Sequence, residues 1–225
     1  MKRNYLTYLG IASVILAILI LATAAFAGPV LICKAIDIGS AQSLPWNHPA
    51  TLAGSNGYEV THLVADTLAL LNSKTPVLVR METLRRATIY SQRDAGAAKD
   101  LLANLQQRAQ TNTTDALAQF DYGYLVACYK QIAWARSSGM TVWGHSNWQN
   151  PAAGADGYAL IQKAISLRGE DAEMEFAAAL ATFNGNESTP AHREHLEKAL
   201  AGAKDSPLLA RNLAEQFSKI LAVKN

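Results

Sequence analysis

The stretch "VWGHSNWQN", 142–150, gathers Trp143, His145, Asn147 and Trp148 into one loop. Aromatic plates with nearby amides suit a sugar or a peptide, because the apolar faces stack while the polar edges bond. A general-base role for His145 requires an acid or a polarising partner within hydrogen-bond reach. Asp121, His48 and Asp156 are the neighbours the chain offers, and spacing alone does not place them. The other reading makes the tryptophans a plug between two helical halves. That reading takes precedence, since long loops in compact domains need such anchors.

Other reactive residue types give weaker patterns. "HREH" at 192–195 sets His192 and His195 three apart, with Glu194 and Glu197 close by. Zinc needs at least three protein ligands in a defined geometry. No third ligand is marked, and the glutamate spacing does not fit a peptidase signature. A solvated helix start is therefore expected. Arg80, Arg85 and Arg86 could hold an anion, although a surface charge network is the more ordinary use of such residues. Ser146 lacks the G-x-S-x-G turn of a hydrolase nucleophile. No glycine-rich phosphate loop and no cysteine metal pattern occurs, so neither a cofactor nor a metal is expected.

Two cysteines remain, Cys33 and Cys128. Cys128 shares a helical stripe with Phe120, Tyr124 and Ile132, which directs it inward. Cys33 follows Ile32, a bulky residue where a lipoprotein signal needs a small one. A Cys33–Cys128 bridge is expected if the chain meets an oxidising compartment. Two buried free thiols are the competing reading, because cysteine also behaves as a small hydrophobe.

The N-terminus bears on that choice. Lys2 and Arg3 precede an uncharged apolar run to Phe26, and Ala25-Phe26-Ala27 is a small-residue cleavage site. These features describe a secretory signal over 1–27 and a periplasmic or envelope location. Membrane attachment is expected only if that segment is retained. The chain carries 20 basic and 18 acidic side chains, so Lys2 and Arg3 account for the whole excess. A neutral remainder lacks the electrostatic footprint of a nucleic-acid binder.

The elements that must position these residues are helical. Residues 28–57 mix short apolar runs with Gly, Pro and Ser, and read as an extended arm lying on another surface. A short strand at 30–36 fits the pattern without an evident partner. From Tyr58 onward the period becomes helical, and 58–225 forms one helical domain. "VLVRMETLRRATIYS" predicts a helix capped by Thr75, with Val77, Met81, Leu84 and Thr88 inward and a Glu82–Arg86 pair outside. Asp94 and a cap within "TNTTD" open the next two helices. Four more helices are expected near 155–168, 171–184, 190–203 and 206–223, two of them opened by Pro190 and Pro207. The fold class is all-α, as stacked helical hairpins in a solenoid or a compact array.

The C-terminal helices also repeat. Lys163-Ala164 falls on Lys198-Ala199, and Ala179 on Ala214, at an offset of about 35 residues, typical of two helices per unit. With Leu213, Ala214 and Phe217 in the last helix, residues 155–223 resemble tetratricopeptide repeats, and 76–110 do so more loosely. "CKAIDIGSAQSLPW" is similar in style to exported bacterial proteins of no assigned function. The resemblance implies a scaffold that binds a protein or peptide partner. The alternative is a small enzyme or carbohydrate-binding module built on the Trp143–Trp148 loop.

Overall fold

A computed structural model describes residues 30–47, 54–139, 148–183 and 189–222. The segment 1–27 read as a signal, His48, and the loop residues Trp143, His145 and Asn147 lie outside the described residues. Among those described, every regular element is helical. They are α1 (Val30–Cys33), α2 (Leu63–Leu70), α3 (Val77–Ser91), α4 (Ala95–Thr111), α5 (Ala116–Ser137), α6 (Gly157–Arg168), α7 (Ala172–Thr182), α8 (Pro190–Gly202) and α9 (Pro207–Ala222). Single 3-10 turns, Val60–His62 and Ala203–Asp205, precede α2 and α9. The all-α class is therefore the observed one. The strand considered at 30–36 is instead one helical turn followed by a strap without regular structure.

Helix starts follow from side-chain caps that satisfy otherwise orphaned N–H groups. Asp94 accepts from Gly96 and Ala97, Asp115 from Leu117 and Ala118, and Asp171 from Glu173 and Met174. Thr189 caps α8 through the His192 N–H, with Pro190 in the first turn. α3 departs from expectation. Thr75 does not cap it but donates its hydroxyl to the Leu70 carbonyl at 2.6 Å. The cap comes from another helix: Glu173 of α7 accepts the Leu78 N–H at 3.2 Å.

Packing places α3 at the centre. It touches α2, α4, α5 and α7, while α1 lies against α3, α5 and α7. Fourteen of its residues are buried, from Val77 round to Ser91. A helix apolar or buried all round belongs in a core rather than on a surface. The Glu82–Arg86 pair expected outside is consequently inside: Glu82 is fully buried.

The C-terminal half packs through small residues. Gly123 of α5 meets Gly157 of α6, and a Cβ on Gly157 would lie 2.6 Å from the Gly123 carbonyl oxygen. Ala164, Ala177, Ala178, Ala179 and Ala199 are wholly buried. The paired repeat positions differ at the end of the array, however, because Ala214 is exposed where Ala179 is buried. No described helix is long and apolar enough to cross a membrane.

Candidate functional site

The predicted loop contributes one described side chain. Trp148 is buried, with its ring edge-on to Tyr129 at 5.7 Å and the Arg136 guanidinium 5.5 Å from its centre. It sits in the core, on α5. Of the acids considered for His145, Asp121 is committed elsewhere. Its carboxylate binds Arg80 at 2.6 Å with both side chains buried. Burial pushes the Asp121 carboxyl up to about 6, against the opposing pull of Arg80. Asp156 is the exposed cap of α6.

The most elaborate polar constellation lies on α3, where the arginines expected on a surface are instead inside. Glu82 accepts from Arg85 Nε at 2.7 Å and Arg86 Nε at 2.7 Å. It also accepts the main-chain N–H of Ile36 at 2.9 Å. Arg85 donates to the Ile32 carbonyl at 2.9 Å, and Arg86 to the Leu44 carbonyl at 2.6 Å. Both guanidiniums lie over Trp46, at 5.1 and 5.6 Å from its ring centre. A buried charge must be paired and hydrogen-bonded to be tolerated. Here one carboxylate is shared by two guanidiniums, which leaves a net positive charge, and the strap supplies further acceptors and the Trp46 ring face.

α9 holds the same strap from the other side. The Asn212 carboxamide accepts the Asp37 N–H at 2.8 Å and donates to the Asp37 carbonyl at 2.8 Å. Gln216 donates to the Ala35 carbonyl at 3.3 Å. Arg211 pairs with the Asp37 carboxylate at 2.9 Å. The Gly39 N–H, and then Arg211, hold the Asp37 carboxyl below its usual range. Between these clamps Ile36 and Leu44 are 3% and 1% exposed, so the strap also plugs the core. The arrangement grips a main chain that is irregular and turns at Gly39–Ser40, and it buries aliphatic side chains beside it.

"HREH" also departs from expectation, since both histidines are buried. His195 donates from Nδ1 to Glu175 at 2.5 Å, and its Nε2 lies 2.8 Å from the Tyr158 hydroxyl. The carboxylate can only accept, so Nδ1 carries a proton and Nε2 is free to accept from the phenol. The chain ties α6, α7 and α8 together. His192 donates from Nδ1 to the Ala179 carbonyl at 2.8 Å, and its Nε2 is buried without a partner. Burial lowers its pKa. No described group of His, Cys, Asp and Glu is placed to hold a metal.

Cys33, half-buried, and Cys128, buried, are free thiols in this structure. Cys128 is fully buried with Phe120, Tyr124 and Ile132, as the stripe predicts. Burial pushes its thiol up to about 12 and raises that of Cys33 as well. Neither forms a thiolate readily near neutral pH. Trp134, on the same helix, is 51% exposed.

Sequence reasoning missed the strap clamp and the Tyr158–His195–Glu175 chain. A signal for the first existed: apolar residues in α3 occur at 77, 78, 79, 81, 84, 87 and 89, which leaves no wide polar face. Comparison with protein families, with curated proteins and with solved structures finds no match to this chain.

Proposed function

We propose that the chain is an exported helical scaffold that binds a protein or peptide partner in the cell envelope. One observation carries this reading. The helical array already holds a stretch of polypeptide without regular secondary structure, residues 35–46, through side-chain bonds to its main chain. Extended peptides are recognised by main-chain hydrogen bonds that give affinity and side-chain pockets that give specificity. Export rests on the signal-like segment 1–27. Trp148 sits in the core rather than in an open aromatic cleft, so the enzyme or sugar-binding reading gains no support from it.

The test uses the full chain in its native host. A photo-crosslinking residue placed at exposed Gln42 or exposed Ala214 is expected to capture a discrete protein in the envelope fraction. Recovery of the chain in the cytosol, with no adduct from either position, would remove the proposal.

A further inference from the structure

The strap is attached at two anchors with an open span between them. At the first, Ile36 is buried while Asn212, Glu82 and Gln216 hold the main chain of Ala35, Ile36 and Asp37. At the second, Leu44 is buried, Ser43 meets Thr83 at 3.0 Å, and Arg86 binds the Leu44 carbonyl. Trp46 then lies under the two guanidiniums with its edge on Tyr90 at 5.6 Å. Residues 39–42 between the anchors are exposed.

Almost nothing in the strap holds itself. Its one backbone–backbone bond is Ala41 N–H to the Ile38 carbonyl at 3.2 Å. The Asp37 carboxylate also accepts the Gly39 N–H at 2.9 Å, and Lys34 donates to the Glu215 and Gln216 carbonyls at 2.8 and 3.3 Å. The other bonds to the strap main chain come from side chains of α3 and α9. Those side chains bind main-chain N–H and C=O groups, which carry no sequence information of their own. Selectivity comes from four contacts: the Ile36 and Leu44 sockets, Arg211 facing Asp37, and the guanidinium pair facing Trp46.

We infer that the surface spanning α3 and α9 is a peptide-docking site for which residues 34–46 are a built-in occupant. Its external partner is a segment of another protein carrying an aliphatic–acidic pair, a glycine-containing turn like that at Gly39 and, eight residues after the aliphatic residue, a Leu-Pro-aromatic run. The inference rests on the scaffold reading and names the chemistry of its partner. A segment with those features makes the same main-chain bonds, fills the same two sockets and places a carboxylate opposite Arg211. The tethered strap competes at the effective concentration of an intramolecular ligand. Exchange therefore requires local opening of the strap, without unfolding of the helices beneath it.

The experiment uses full-length protein and a fluorescein-labelled peptide of sequence KAIDIGSAQSLPW, residues 34–46. Hydrogen exchange comes first. The Ile36 and Asp37 amides, bonded to Glu82 and Asn212, are expected to exchange well before the amides of α3 and α5. Peptide binding by fluorescence anisotropy follows, in wild type and in strap variants that leave every docking residue intact. Asp37→Lys places two cations together, and Leu44→Ala empties a socket. Each is expected to bind the peptide about tenfold tighter than wild type, since a weakened competitor raises the fraction of open sites. A peptide carrying Lys in place of its Asp should bind more weakly to all of them. If Leu44→Ala fails to fold, Asp37→Lys and the exchange rates decide alone. Strap amides that exchange only on global unfolding overturn the inference, as does a folded strap variant with no gain in peptide affinity. A partner crosslinked from another surface while the strap stays closed would leave the scaffold reading standing and remove only this site.

Discussion

The two halves of the molecule solve the same packing problem with opposite chemistry. Around α3 the contact is made by buried charge: Glu82, Arg85, Arg80 and Asp121 are each at most 1% exposed. Around α6–α8 it is made by absence of bulk, with Gly123 against Gly157 and alanines throughout. Small residues let helix axes approach and gain dispersion contact along their length. Any neighbour of suitable shape fits such a surface. Buried charges are different, because each must find its own partner or incur a large desolvation cost. The N-terminal half therefore specifies one arrangement of the strap, whereas the C-terminal half relies mainly on close approach, supplemented by the Tyr158–His195–Glu175 chain.

That contrast can be broken at its strongest point first. Glu82→Gln keeps the shape but leaves two guanidiniums beside a neutral amide. Loss of one partner from a buried charge set costs about 3–5 kcal/mol. The urea midpoint should fall accordingly, with the slope unchanged. A midpoint within error of wild type would mean that the guanidiniums find other partners and that the network does not hold the strap.

The next effect tests the opposite half. Gly157→Ala puts a Cβ 2.6 Å from the Gly123 oxygen and 2.7 Å from the Ala127 nitrogen, both main chain. Neither can swing aside, so α6 must back away from α5. Overpacking of this kind costs about 1–3 kcal/mol. An unchanged melting temperature would show that the crossing tolerates a wider spacing.

A third measurement uses pH. Burial depresses the His192 pKa below its ordinary 6.5. The neutral ring is favoured in the fold, so its contribution is complete above about pH 6.5 and is lost as pH falls below that value. Asp121 works the other way. Its folded pKa is raised from 3.8 to about 6, so its contribution is present below about 3.8 and lost as pH rises through 6. The difference in urea midpoint between pH 7.5 and pH 5.5 should shrink or reverse in His192→Phe, while the same comparison in Asp121→Asn moves the opposite way. His195 and Arg193, which also lower the His192 pKa, are common to both proteins and cancel.

The smallest expected change belongs to neither half's core. Arg168 pairs with Asp171 at 2.6 Å, but its side chain is 42% exposed. Arg168→Ala should shift stability by less than about 1 kcal/mol, because solvent screens such pairs. A shift as large as that of Glu82→Gln would erase the distinction between surface and buried charge drawn above.

Much of the helix layout was legible because its signals are local. The pattern 77–91 matched α3 to the residue, and the caps Asp94 and Asp115 do what their positions predict. The inward stripe Phe120, Tyr124, Cys128 and Ile132 is likewise a property of one helix. The environment of α3 was not legible. Its charges read as a surface network because a charged side chain usually faces water. Only the arrival of the strap, whose Ile36 and Leu44 lie more than thirty residues away, makes their burial tolerable. "HREH" misled for the same reason: Glu175 and Tyr158, the partners of His195, come from two other helices.

By itself the sequence determined where most of the longer helices begin and end and which side of most of them is apolar. Those properties depend on residues within a few positions of one another, through capping and the helical period. Only the tertiary structure decided which charges meet and which main-chain groups Asn212 and Gln216 grip. Those outcomes depend on contacts between residues far apart in the chain. Their free energy exists only once the intervening helices have packed and excluded water.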